Sequence, residues 1–135
     1  ASASVSPVLI PAGAEASTGV ITANYAKAPD DPDLADDPEV KDYMAFMRKW
    51  NAQENPNDFY ALSAYIIGNM MKTILERAGD NLTRENIMKL VANIDNERMP
   101  MQQKKIVLRT TPDNFSAYQT LQLQKFDGRK WVNMD

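Results

Sequence analysis

Between residues 55 and 81 the apolar positions fall into two neighbouring stripes. Phe59, Leu62, Ile66, Met70 and Ile74 recur at three- and four-residue spacing, and Tyr60, Ala64, Ile67, Met71, Leu75 and Ala78 repeat the pattern beside them, which predicts one α-helix. Asn57 or Asp58 can accept from its first free amides, and Gly79 tolerates a left-handed stop. Little polar surface is left before Lys72. A surface helix carries an apolar stripe roughly 100° wide, whereas a helix apolar nearly all round is enclosed in a larger body. Its polar ends, with Ser63 and Asn69 inside, argue against a membrane span.

The remaining pattern is mixed. "GVITANYA", residues 19–26, is β-branched and aromatic and predicts a strand. An acidic, proline-broken loop follows, ending in Asp37-Pro38-Glu39, a helix start with its cap, its proline and an acid near the positive end. The helix runs over 38–50, with Val40, Tyr43, Met44, Met47 and Trp50 on its apolar side. Thr83 caps a third helix, for which Leu82 can staple against Ile87, and Ile87, Leu90, Val91 and Ile94 give the buried face. "KIVLRTT", 105–111, predicts a strand, and "YQTLQLQKF" with "KWVNM" predicts a hairpin turning at Asp127-Gly128. Near the start, Ser6 and Pro7 can open a short helical turn.

Composition narrows the classes. The chain has 135 residues, 44% of them hydrophobic and 24% charged, which suits one globular domain rather than a disordered segment. With a net charge of −3 and no basic run beyond Lys104-Lys105, nucleic acid is not an expected partner, and an acidic membrane surface is disfavoured likewise. There is no cysteine and no histidine, so disulfides, thiolate nucleophiles, cysteine metal cages and the commonest general base are excluded. No cofactor is expected. The opening "ASASVSPVLIPAGAEAS" looks like the interior of a longer polypeptide, so a fragment is expected.

Few residue clusters suggest chemistry. Asp30, Asp31, Asp33, Asp36 and Asp37 are oxygen donors, but prolines interrupt them and no glycine-centred calcium loop follows; a solvated loop ending in a cap is the simpler account. Asn81-Leu82-Thr83 matches a glycosylation sequon whose threonine already serves as a cap. Asp113 with Asp127, or Glu15 with Glu39, would make a carboxylate pair only if folding joined them, so no enzyme is expected. Tyr65 reads as a core tyrosine, and Thr18-Gly19 as a plain turn or a close backbone approach to a ligand.

Read in order, "SASVSPVLIPAG", "GVITANYAKAPDDP", "FYALSAYIIGNMMKTILERAGDNLTRENIMKLV", "MPM" and "IVLRTTPDNFSAYQTLQLQKFDGRKWV" resemble the last third of the branched-chain amino-acid type periplasmic binding proteins. The capped "LTREN" helix, the "TTPDNF" turn and the "LQLQKFDGRKWV" end carry the likeness together. It implies an α/β fold, part of a two-lobe type I periplasmic binding protein, with three helices, a crossing strand and a C-terminal β-hairpin. Residues 1–26 would end a second-lobe segment and form a crossing strand, 27–100 a helical segment of the first lobe, and 101–135 the return crossing and second-lobe strands. The apolar helix would then expect a sheet from a missing N-terminal portion or a second copy.

The resemblance also implies a function: a solute-binding component of an ABC importer, periplasmic, closing its lobes on a small organic acid and docking on the importer's membrane subunits. Tyr65 falls where relatives place a tyrosine in the ligand cleft. Thr18-Gly19 falls where amino-acid-binding members carry an acid and a glycine. Threonine cannot offset a desolvated ammonium as a carboxylate does, which points toward carboxylates without an amine, aromatic acids among them. Ser4, with Ser2 and Ser6, is placed near the cleft. Relatives have an apolar proline- and glycine-containing run after "MPM", where this chain has Gln102-Gln103-Lys104-Lys105: either drift in an exposed crossing or solubilisation of an uncovered surface. Two other readings stand beside the transporter, a ligand sensor of the same fold and an assembly module that pairs through Ile66, Ile67, Met70 and Met71 without binding solute.

Overall fold

A computed structural model describes residues 6–134. In chain order the elements are α1 (Ser6–Gly13), β1 (Ile21–Asn24), a 3-10 turn (Pro32–Leu34), α2 (Pro38–Trp50), α3 (Phe59–Ala78), α4 (Arg84–Val91), β2 (Gln122–Phe126) and β3 (Trp131–Asn133). Helices α2, α3 and α4 form one body. The strands form an antiparallel sheet in the order β1-β2-β3.

Each helix of the body starts at an acceptor side chain. The Asp37 carboxylate accepts from Glu39 N and Val40 N, Asp58 from Tyr60 N and Ala61 N, and the Thr83 hydroxyl from Asn86 N, satisfying amides that have no partner within the helix. Because Asp58 accepts at 2.7 and 3.2 Å, Asp58→Ala is expected to cost about 1 kcal/mol, measurable as a lower urea midpoint with an unchanged slope. Leu82 stays exposed, so the expected staple adds little burial.

The core lies between the helices and the segment that returns after them. Tyr43 and Met47 of α2 meet Leu62, Ile66 and Ile74 of α3, with Ile94, Met99, Met101 and Leu108 closing the cluster. Burying such side chains is the main favourable term in folding. Of the second α3 stripe only Ala78, at the end of the helix, is buried. Tyr60, Ile67, Met71 and Leu75 of the second stripe are 42–78% exposed. Trp50 also points outward, with Lys49 Nζ 4.6 Å from its ring, because it lies at the last residue of α2, beyond the core.

Residues 105–111 do not form the expected strand. They make single bridges: Leu108 exchanges backbone hydrogen bonds with Glu97, Thr110 N donates to Ile94 O, and Thr111 pairs with Asn114. A β-branched run becomes a strand only where a partner continues beside it. The hairpin forms, but through four residues. Asp127 N donates to Lys130 O, and the Asp127 carboxylate accepts from Arg129 N and Lys130 N at 2.8 Å. Gly128 alone takes a positive φ there, +100°, so the aspartate organises the loop by accepting hydrogen bonds rather than by a left-handed backbone.

The sheet shows an inverted pattern. Ile21 pairs with Lys125 and Lys125 with Val132, so these residues and Leu123 share one face. That face is open, with Ile21, Leu123 and Val132 43–56% exposed. The covered face carries Thr22, Gln124, Phe126 and Trp131.

Candidate functional site

Tyr65 projects from α3 toward α2, where its ring lies 5.0 Å from those of Tyr43 and Phe46. It borders an open groove of about 570 Å³ with Phe46, Met47, Ala61, Ala64 and Gly68, and with Asn51, Asn69 and Lys72 as polar groups. Burial raises the pKa of the Tyr65 phenol and that of Tyr43 to about 12, so both stay neutral. A neutral phenol beside an apolar wall can hydrogen-bond a solute without carrying charge.

Thr18 and Gly19 lie at the sheet. Gly19 N donates to Phe126 O at 2.8 Å with φ +93°, so this glycine starts the β1–β2 pairing through a backbone that other residues rarely adopt. The Thr18 hydroxyl donates to Ala14 O at 3.4 Å and faces Gly128 closely enough that a Cβ there would meet it at 2.8 Å. Thr18 borders a second cavity, of about 420 Å³, with Lys125, Phe126, Asp127 and Met134. Tyr65 and Thr18 therefore line different depressions. Ser2 and Ser4 lie outside the described residues, and Ser6 begins α1.

The acidic loop is occupied by local duties. Asp31 caps the 3-10 turn by accepting from Asp33 N, Asp33 pairs with Lys130, Asp36 with Lys41 at 2.7 Å, and Asp37 with Lys27 at 2.6 Å. Among the described residues no group of three or more acidic, histidine or cysteine side chains is placed to hold a metal ion. No described helix is long and apolar enough to cross a membrane.

What the sequence did not reveal is the joint between helices and sheet. Tyr25, just past β1, stacks on Tyr118 at 4.1 Å, meets Phe59 edge-on at 5.8 Å and places its hydroxyl 2.9 Å from Ser63 Oγ. Gln102 is fully buried. Its side-chain oxygen accepts from Met99 N at 2.7 Å and its amide nitrogen donates to the Tyr118 hydroxyl at 2.8 Å. This corrects both sequence accounts of the Gln102-to-Lys105 run as far as Gln102 is concerned: the residue is neither drift in an exposed crossing nor a solubilising change, because a buried amide is tolerated only when paired. Lys104 and Lys105 are exposed. Lys27, 6% exposed, pairs with Asp37 and with Glu39 at 2.9 Å, and Arg98 grips Glu39 through two nitrogens at 2.5 and 2.9 Å. The hydrogen bonds from Arg98 and Lys27 hold the Glu39 pKa down at about 2. The one local signal was Glu39 itself, which reads in sequence only as an acid suited to a helix start.

Helices on one side and a sheet on the other, joined by two chain passages, correspond to part of a type I periplasmic binding protein fold. A branched-chain amino acid ABC transporter protein from Thermus thermophilus, solved with bound valine, superposes on 95% of this chain with a TM-score of 0.65 at 16% identity. The chain spans 35% of that protein's length. That neighbour is described as a transporter, not as an enzyme. No protein-family model matches the sequence, and no curated protein matches it.

Proposed function

We propose that the chain is part of a solute-binding component of an ABC importer, acting without catalysis in the periplasm. The observation that carries this reading is the pair of uncovered apolar faces. The outer stripe of α3 and the Ile21–Leu123–Val132 face of the sheet each ask for a further layer, one on either side of the joint. A neighbour of the same fold and nearly three times the length supports further chain as the occupant of both faces. The helical body then belongs to one lobe and the sheet to the other, and the solute lies between them.

Within that arrangement Tyr65, Thr18 and Gly19 contact the ligand, with Ser4 near them, once the remaining layers complete the cleft. The ligand is a small organic acid. The neutral Thr18 hydroxyl favours a carboxylate lacking an amine, aromatic acids included, over the amino acid that a carboxylate at this position would hold. Benzoate and leucine are suitable probes for calorimetry on the complete polypeptide from which this sequence comes. Benzoate is expected to bind more tightly, stabilising the protein by ~2.7 kcal/mol at a hundredfold excess over Kd. Tyr65→Ala should weaken that binding about tenfold, the worth of one aromatic contact. Binding of neither probe, nor of other small acids, would remove the receptor reading.

The open α3 stripe supports a second reading, an assembly module pairing two copies; of the four residues expected to form that surface Ile66 is buried and Met70 packs against the core, which leaves Ile67 and Met71. Light scattering separates the two. A stable dimer indifferent to solutes favours assembly, whereas a monomer whose melting temperature rises with acids favours the receptor.

A further inference from the structure

Two passages connect the helical body to the sheet, one through residues 24–28 and one through residues 117–122, and a loop of the helical body reaches in between them. Glu39 at the start of α2 is the centre of this joint. Its two carboxylate oxygens bind Arg98 on the loop, Lys27 on the first passage, and Met101 N at 3.0 Å. Lys27 N in turn donates to Met101 O at 2.8 Å, Gln103 N to Tyr25 O at 2.8 Å, and the Gln103 side chain to Ala26 O at 3.2 Å. Through Gln102 the loop also holds Tyr118 of the second passage, which stacks on Tyr25 of the first. Met101, fully buried, takes a φ of +67°, a conformation costly for a residue with a long side chain and kept only where surroundings over-determine it.

The two ends of this arrangement differ. Toward the helices, Tyr25, Ala26 and Lys27 of the first passage and Tyr118 of the second are tied to α2 or to the loop. Toward the sheet the restraint thins out: β1 breaks at Tyr25, where the Asn24 side-chain oxygen takes over the amides of Tyr25 and Ala26, and Gln119, Thr120 and Leu121 are exposed, with the Gln119 side chain donating one long hydrogen bond, 3.4 Å, to Arg109 O.

We propose that Glu39, with Lys27, Arg98 and Gln102, is a clamp that joins both passages into one unit fixed to α2, so that the sheet moves against the helices by bending at Asn24–Tyr25 and at Gln119–Leu121. Glu39 and Gln102 are thus positioning residues for whatever closure the molecule undergoes. A carboxylate bound by a buried lysine and a two-pronged arginine suits this task, since removing it leaves two cations near the joint without their shared partner. Where the receptor reading applies, the clamp sets the hinge of the lobes. It stands on the joint alone, and its test uses no solute, so failure of either one leaves the other to be judged by its own experiment.

The absence of native cysteine allows spin labels at Lys72→Cys on α3 and Arg129→Cys in the hairpin loop, both exposed, on the 135-residue chain. The distance distribution is expected to be single and narrow in the parent. Glu39→Gln and Gln102→Ala should widen it about twofold or more as the joint loosens, while Asp36→Asn, which breaks only the exposed pair with Lys41, should leave it unchanged. Circular dichroism reports whether each variant keeps its helices. If Glu39→Gln unfolds, Arg98→Lys, which keeps the charge but loses the two-pronged grip, serves in its place with the same expected widening. Parent-like width in folded Glu39→Gln or in Arg98→Lys would overturn the clamp, and so would a broad distribution in the parent itself.

Discussion

Replacing Tyr43 by alanine is expected to cost about 4–8 kcal/mol, roughly half of the stability of the chain. Tyr43 is fully buried between α2 and α3, and its hydroxyl donates to Pro56 O at 2.8 Å, tying the α2–α3 connector to the core. Truncating a buried aromatic ring costs about 3–5 kcal/mol, and leaving the carbonyl without its donor adds about 1–3 kcal/mol. A domain of this size is stable by about 5–15 kcal/mol in all. Tyr43→Phe keeps the ring and should lose about 1 kcal/mol. Urea titrations followed by circular dichroism separate the two; an alanine variant within 1 kcal/mol of the parent would show that the α2–α3 contact does not organise the fold.

The second large effect is loss of stability in acid. The folded Glu39 pKa of about 2 lies below its ordinary value of 4.5. A carboxylate depressed by folding contributes stability that is fully present above 4.5 and is lost as the pH falls from there through about 2. A shift of that size corresponds to ~3 kcal/mol, which screening reduces to about 2 kcal/mol because a quarter of the side chain meets water. Asp37, where desolvation is outweighed only by the sum of the Lys27 hydrogen bond and charge and the amides of Val40 and Glu39, is also lowered and acts in the same direction. Glu39→Gln should therefore be less stable than the parent at pH 7, and the gap should close as the pH approaches 2. Parallel stability curves for the two proteins from pH 7 to pH 2 would show that Glu39 is not the titrating group.

The helices of the body were legible because their signals are local. Asp37, Asp58 and Thr83 each accept from amides two or three residues ahead, and those distances are set by the helix itself. The same locality makes Gly79 a stop and Asp127-Gly128 a turn. Where a partner lies far along the chain, the pattern misled or was silent. Residues 105–111 have strand composition but meet only isolated bridges, at Glu97 and at Asn114, and Gln102 looked like a surface residue because Tyr118, which pairs its amide, is sixteen positions away.

The candidate site divides in the same way. Tyr65 and Thr18-Gly19 were singled out from the sequence, and the structure puts Tyr65 and Thr18 in separate depressions. The joint was invisible beforehand, since Glu39 meets Arg98 across 59 positions and Met101 across 62. No window of sequence contains both ends of such a contact.

Periodicity and end signals in the chain were enough to specify where α2 and α3 run, where α4 starts and that α3 has two apolar stripes, because backbone hydrogen bonding within a helix joins residues four apart; α4 stops at Val91, short of Ile94. Only the folded arrangement decided which stripe is buried, which sheet face stays open, and that a glutamate at a helix start gathers a lysine and an arginine around it. Those outcomes depend on which distant segments share space, and burial and ion pairing act through space rather than along the chain.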